Sequence, residues 1–133
     1  MGAIKYLLDT HTFLWIAFDD SRLCDTAIKA INDEASEIFV SPVTAYEIMN
    51  KHRIGKLPEY TYVAENYLDV FHTLGAEELP IKTKHLLFAG KFDWSHRDPF
   101  DRILAAQSSI ENMTLLTNDK VFDTLPWIKT LWG

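Results

Sequence analysis

An α/β fold with a mostly parallel central sheet flanked by helices follows from three features of the sequence. Short apolar runs of strand length alternate with longer stretches of helical periodicity, the order expected of a parallel sheet built through helical crossovers. Ser41-Pro42 and Asp98-Pro99 each place a capping side chain ahead of a proline at a first helical position, which marks two helix starts. No repeat, low-complexity tract or linker interrupts the alternation, so residues 1–133 read as one domain.

The elements come in the following order. Ile4-Lys5-Tyr6-Leu7-Leu8 is a short apolar run suited to a buried strand, and a helix over Thr12 to Phe18 follows it. A helix from about Cys24 to Ala35 leads to the second strand, Ile38-Phe39-Val40. Helices over Val43 to Arg53 and Tyr62 to Leu74 come next, then a strand near Glu77 to Ile81. Helices over Lys82 to Lys91 and Pro99 to Asn112 lead to the fourth strand, Thr114-Leu115-Leu116.

Composition narrows the classes. With 47% hydrophobic and 13% aromatic residues the chain has ample material for one core, which excludes a disordered protein. No apolar run approaches the roughly 20 residues of a spanning helix, and Met1 to Lys5 carry no secretory pattern, so no membrane association is expected. Met1-Gly2 would suit a myristoylation signal, but Tyr6 stands where Ser or Thr is expected. Cys24 is the only cysteine, which excludes an internal disulfide and a multi-thiolate zinc site and points to the cytoplasm. Thirteen Lys and Arg against nineteen Asp and Glu give −6, an unpromising balance for a nucleic-acid binder. Neutralising four carboxylates as metal ligands would bring −6 to −2 and remove that objection.

The carboxylates fall where such ligands would be useful, since open α/β sheets bind ligands beyond the carboxyl ends of their strands. Asp9 directly follows the first strand and Asp119 follows the fourth, in Thr117-Asn118-Asp119. Glu47 lies in the helix after the second strand, and Asp98 and Asp101 lie in the first turn of the helix before the fourth. Hard oxygen donors of this kind suit Mg²⁺ or Mn²⁺. Each residue also has a purely structural reading. Asp9 and Asp98 are competent helix caps, Asp101 could close a capping box, and Asp119 suits a turn. Glu47 is hardest to explain this way, because apolar residues surround it on the helix and it needs a partner. A metal ion would be one; Lys51, four residues on, is another.

Four segments resemble, in order, the motifs of PIN-domain ribonucleases and of VapC-type toxins among them. They are Leu7-Leu8-Asp9-Thr10-His11-Thr12, Ser41-Pro42-Val43-Thr44-Ala45-Tyr46-Glu47-Ile48, His96-Arg97-Asp98-Pro99-Phe100-Asp101-Arg102-Ile103-Leu104-Ala105-Ala106 and Leu115-Leu116-Thr117-Asn118-Asp119. The resemblance spans Ile4 to about Phe122. It implies a PIN-like three-layer fold and metal ligands at Asp9, Glu47, Asp101 and Asp119. Asp101 fits the third motif better than Asp98, and both are kept. Thr10 and either Thr117 or Asn118 are implied as hydrogen-bond partners of the ligands. The implied activity is endonucleolytic hydrolysis of RNA to a 5′-phosphate and a 3′-hydroxyl, with Glu47 or Asp119 orienting the attacking water. The implied partners are a small VapB-like antitoxin and a second copy of the chain.

Contacts to RNA are less legible. Lys51, His52, Arg53 and Lys56 follow Glu47, and Arg97 and Arg102 flank the acidic turn, so Lys51, Arg53, Lys56, Arg97 and Arg102 are candidates for holding phosphates. The four tryptophans are expected in the core or an interface, and the five histidines, scattered without metal-ligand spacing, in structural roles. Competing folds fail on specifics. A haloacid-dehalogenase-like phosphatase needs a second Asp where His11 stands, and no phosphate-cradling Gly loop or nucleophile elbow is present. The remaining alternative is a PIN-like domain that binds RNA or protein without cutting.

Overall fold

The computed structural model describes residues 3–133; Met1 and Gly2, and any acylation signal there, lie outside the described residues. Five parallel strands form one sheet in the order β3-β2-β1-β4-β5. The first strand, β1 (Ile4–Leu8), is central, with Tyr6 opposite Ile38 of β2 (Ser36–Val40) and Thr114 of β4 (Thr114–Leu116). Its continuous apolar run is explained by burial on both faces. Tyr6 and Leu8 point into one apolar cluster and Leu7 into the other, the period-two alternation of a strand.

Helices cover both faces, giving three layers. On one side α1 (Thr10–Phe18), α2 (Asp25–Asn32), α4 (Thr61–Glu65) and α5 (Tyr67–Leu74) pack around Phe13, Leu14, Ala27 and Val63. On the other, α7 (Pro99–Ile110) buries Leu104 and Ala105 against Leu7 and Leu115, with α6 (Thr83–Lys91) packed on α7. The helix after β2, α3 (Pro42–Arg53), contributes Val43 to the second cluster and Ile48 to the first. It therefore straddles the end of the sheet, and Glu47 lies between its two apolar anchors.

Both expected proline-led starts are present: Ser41 Oγ accepts from Val43 N at 3.2 Å, and Asp98 Oδ1 accepts from Phe100 N at 2.9 Å. Elsewhere the structure departs from the sequence reading. The single helix expected over Tyr62 to Leu74 is two, because Asn66 adopts φ −127 and ψ 34, outside the helical region, with its side-chain amide donating to Tyr62 O. Gly75, at φ +71, ends α5 in the left-handed conformation that favours glycine. The third strand shrinks to β3 (Glu77–Glu78): its last bond to β2 is Leu79 N–H to Val40 O at 2.9 Å, and β2 ends there as α3 begins. A fifth strand, β5 (Lys129–Leu131), pairs with β4. Three of the four tryptophans pack inward, Trp15 meeting Trp132 edge-on and Trp94 lying against Phe92 and Phe122, while Trp127 is exposed.

Two titratable side chains frame the α6–α7 layer. His85, fully buried, accepts the Lys82 N–H at Nδ1, so its proton sits on Nε2 and is donated to Glu111 at 2.7 Å. That bond holds the Glu111 carboxyl below its ordinary value. Arg102, expected among the phosphate contacts, is the second. Its guanidinium donates to the backbone carbonyls of Ala89, Phe92, Trp94 and His96 at 2.5–3.4 Å and lies 4.3 Å from the centre of the Phe92 ring. Four of its five N–H donors are thus engaged by the end of α6 and the loop after it, and one N–H on Nη2 is left for a phosphate.

The planar fork is what lets one side chain serve several carbonyls, so Arg102→Lys is expected to destabilise the protein by about 2 kcal/mol despite keeping the charge. Urea unfolding of the variant beside wild type measures it; equal midpoints would show that the carbonyls are served equally well by water.

Candidate metal centre

Along the sheet the chain runs outward from β1 to β3 and then returns to the opposite side of β1 with β4. Such a reversal opens a crevice at the strands' carboxyl ends, here between β1 and β4. Asp9 leaves β1 into this crevice and caps α1, its Oδ1 accepting from Thr12 N at 2.8 Å. Its Oδ2 accepts from the hydroxyl of Thr117, beyond β4. Thr12 adds a second tie, donating its hydroxyl to Leu116 O at 2.8 Å. Burial nevertheless pushes the Asp9 carboxyl above its ordinary value, with the Thr117 and Thr12 hydrogen bonds opposing.

Glu47 is 4% exposed, and both of its oxygens have partners. Thr10 Oγ1 donates to Oε1 at 2.5 Å, and Lys51 Nζ lies 2.6 Å from Oε2. Lys51, expected among the phosphate contacts, is thus paired with Glu47, the alternative the helical spacing also allowed. Asp101 stands one turn into α7 with Oδ2 2.6 Å from Nε2 of His96. Burial raises its carboxyl to about 6, with the negative charges of Asp98 and Glu47 adding to the shift and the His96 hydrogen bond opposing it.

Asp98 caps α7, its Oδ1 taking the N–H groups of Phe100 and, more weakly at 3.4 Å, Asp101. His96, Asp98 and Asp101 each offer one ligand atom, all within 4.8 Å of one another. His96 is the site residue that the sequence reading missed. Its signal was local: it opens the run His-Arg-Asp-Pro-Phe-Asp, two residues before one carboxylate and five before the other.

Asp119 lies at the exposed rim. Its N–H donates to Thr117 Oγ1 at 3.0 Å and its carboxylate caps the 3-10 turn over Lys120–Thr124 through Val121 N. Of the two implied partners for Asp9, Thr117 makes the contact and Asn118 is exposed. A cleft of about 340 Å³ lined by Thr117, Asp119, Lys120, Thr130 and Trp132 opens beside this rim. Among the other basic candidates, Arg53 donates to Asn50 Oδ1, while Lys56 and Arg97 are exposed.

Among the described residues the donors within one ion's reach of each other are His96, Asp98 and Asp101, a set that suits a hard divalent ion; Asp9, Glu47 and Asp119 are not part of that cluster. Lone pairs remain on Asp9 and Asp101 after the hydrogen bonds above are counted.

Residues 6–128 match the family model of the PIN domain. This chain belongs to the PIN domain family. No curated protein matches the sequence. Solved structures similar to this PIN domain include VapBC2 from Rickettsia felis bound to a promoter DNA fragment, at 18% identity and TM-score 0.64, covering 98% of this chain and 100% of the other. DNA-bound VapBC from Salmonella typhimurium follows at 18% identity and TM-score 0.67, covering 96% and 97%. VapBC-5 from Mycobacterium tuberculosis, of the VapBC family of toxin-antitoxin systems, has 16% identity and TM-score 0.59, covering 97% and 98%. At these identities the likeness is one of fold.

Electrostatics in this PIN domain give a test without substrate. A carboxyl raised from 3.8 to about 6 keeps its proton longer in the folded than in the unfolded chain. The metal-free protein therefore loses stability as pH rises from about 4 to 7. Asp101→Asn, which keeps the volume and an acceptor for His96, is expected to raise metal-free stability at pH 7 by about 2 kcal/mol, with the gain shrinking toward pH 4. Urea unfolding in EDTA across that range checks it; a variant less stable than wild type at pH 7 contradicts it.

Proposed function

We propose that this PIN domain is a metal-dependent endoribonuclease and the toxin of a type II toxin-antitoxin pair. The observation that carries the proposal is the pair of buried carboxylates, Asp9 and Glu47, brought to the end of the sheet from separate segments with Asp101 held above its ordinary range. A protein has little structural reason to gather such groups, because each buried negative charge raises the cost of the next.

Asp9, Glu47, Asp101 and Asp119 would hold Mg²⁺ or Mn²⁺, with Asp98 and His96 within reach of Asp101. When bound, the ion supplies Lewis acidity toward a phosphoryl oxygen and toward water. The chain's own part is positional. Thr117 and Thr12 fix the Asp9 carboxylate, and Thr10 fixes Glu47, so that neither has to reorganise as charge develops. His96 orients Asp101 through Oδ2, and Oδ1 would be left for the ion. Glu47 or Asp119 would accept a proton from an attacking water, and the exposed Arg97 and Lys56 would meet an RNA backbone.

Partners are inferred from the same fold relatives. The VapBC complexes support a small VapB-like antitoxin that would cover the metal centre, and a homodimer of the toxin. Among the described residues no helix is long and apolar enough to cross a membrane, and we place the protein in the cytoplasm.

Asp9→Asn is expected to keep the fold and abolish Mg²⁺- or Mn²⁺-dependent RNA cleavage, read by circular dichroism beside a cleavage assay. In single-turnover cleavage across a Mn²⁺ series, Asp101→Asn should lose orders of magnitude, while Asp98→Asn, which keeps a capping oxygen, retains appreciable activity. The reverse order would move the ligand to Asp98. An Asp9→Asn variant that cuts like wild type would favour a PIN domain that binds RNA or protein without cleaving it.

Metal should also stabilise the folded chain, by about 2.7 kcal/mol for one ion at 100 times its Kd. A melting temperature unmoved by millimolar Mg²⁺ and Mn²⁺ would argue against the metal centre.

A further inference from the structure

The proposed centre already contains one fixed cation. Lys51 reaches back one turn of α3 to place Nζ 2.6 Å from Glu47 Oε2. This is no solvated surface pair: the Lys51 side chain is 28% exposed and that of Glu47 only 5%. The remaining Glu47 oxygen takes the buried Thr10 hydroxyl, so both oxygens are engaged by donors of the chain itself. An ammonium at hydrogen-bond distance takes one of the two acceptor positions of that oxygen and sets a full positive charge beside it. Two cations held a few ångströms apart repel strongly where protein rather than water surrounds them. A lysine and a divalent ion therefore compete for Oε2.

We propose that Lys51 fills the place of a second cation, so that the centre binds a single divalent ion and Lys51 sets this stoichiometry. The inference rests on the reading of the site as a metal centre. With Lys51 on Glu47, the one cluster of three donors within a single ion's reach among the described residues is His96, Asp98 and Asp101, room for one ion. Removing the ammonium returns a full negative charge to Glu47 and opens Oε2. A lysine that merely braced the helix would affect stability and leave the ion count unchanged.

The test counts Mn²⁺ ions on the full chain by electron paramagnetic resonance of free Mn²⁺, with isothermal titration calorimetry alongside. Wild type is expected to bind one ion per chain and Lys51→Met two, the long apolar stem being kept. Lys51→Arg, which keeps the charge, should bind one, and the double variant Lys51→Met with Glu47→Gln should return to one. If Lys51→Met does not fold by circular dichroism, Lys51→Gln carries the same expectation. Two ions on wild type, or one on every Lys51 variant, overturns the proposal while leaving the metal centre intact. No ion on any of these proteins overturns the metal centre itself, and the proposal with it.

Discussion

The carboxylate at the end of β1 sets the conditions that the surrounding elements meet. β1 is central and apolar on both faces, so a charge placed directly after it enters a poorly solvated crevice. It must be hydrogen-bonded there. Thr12 and Thr117 supply those bonds from α1 and from the loop after β4. A parallel bridge, Thr10 to Glu47, ties α1 to α3. Three threonines thus draw four elements together around two buried charges. Lys51 offsets the charge of Glu47, while burial works against the charged form of Asp9. The core on either side of the sheet has to outweigh that cost.

The opposite layer transmits position to the same place through the backbone. Arg102 grips the carbonyl of His96, among others, and His96 in turn grips the carboxylate of Asp101. Arg102 and Asp101 are neighbours in α7, one turned into the loop and the other toward the centre. The loop over residues 92–98 is thereby held at both its backbone and its side chains. His85 and Glu111 fasten the far ends of α6 and α7 together in the same manner. A charged residue in this layer is a fastening as often as it is a surface group.

What the sequence revealed was local and periodic. β1 and β4 have the bounds that their apolar runs predict, and the starts of α3 and α7 follow from a capping side chain followed by proline. The placing of carboxylates near strand ends was likewise readable, because it needs only the alternation of elements. The partners of each side chain were not. Whether Arg102 faces phosphate or four carbonyls depends on where residues 89–96 run, and nothing in its own neighbourhood states that. His96 gave only a spacing to Asp98 and Asp101, which acquires meaning once α7 is seen to begin between them. β5 is three residues long, Lys-Thr-Leu, too short for an alternation to stand out, and it is a strand because β4 lies beside it. The break at Asn66 leaves an apolar pattern that continues across it, so periodicity alone fuses α4 with α5.

The two outer strands are unusually brief: β3 has two residues and β5 three. An open parallel sheet normally offers a long row of unpaired amides and carbonyls at each border, a template on which a foreign strand can grow. Here an intruder would find only a few free backbone groups, and at one border two adjacent glutamates, Glu77 and Glu78, facing solvent. Growth of the sheet into fibres or strand-swapped aggregates is disfavoured from both sides. A second copy of the chain is steered toward the helical flanks instead.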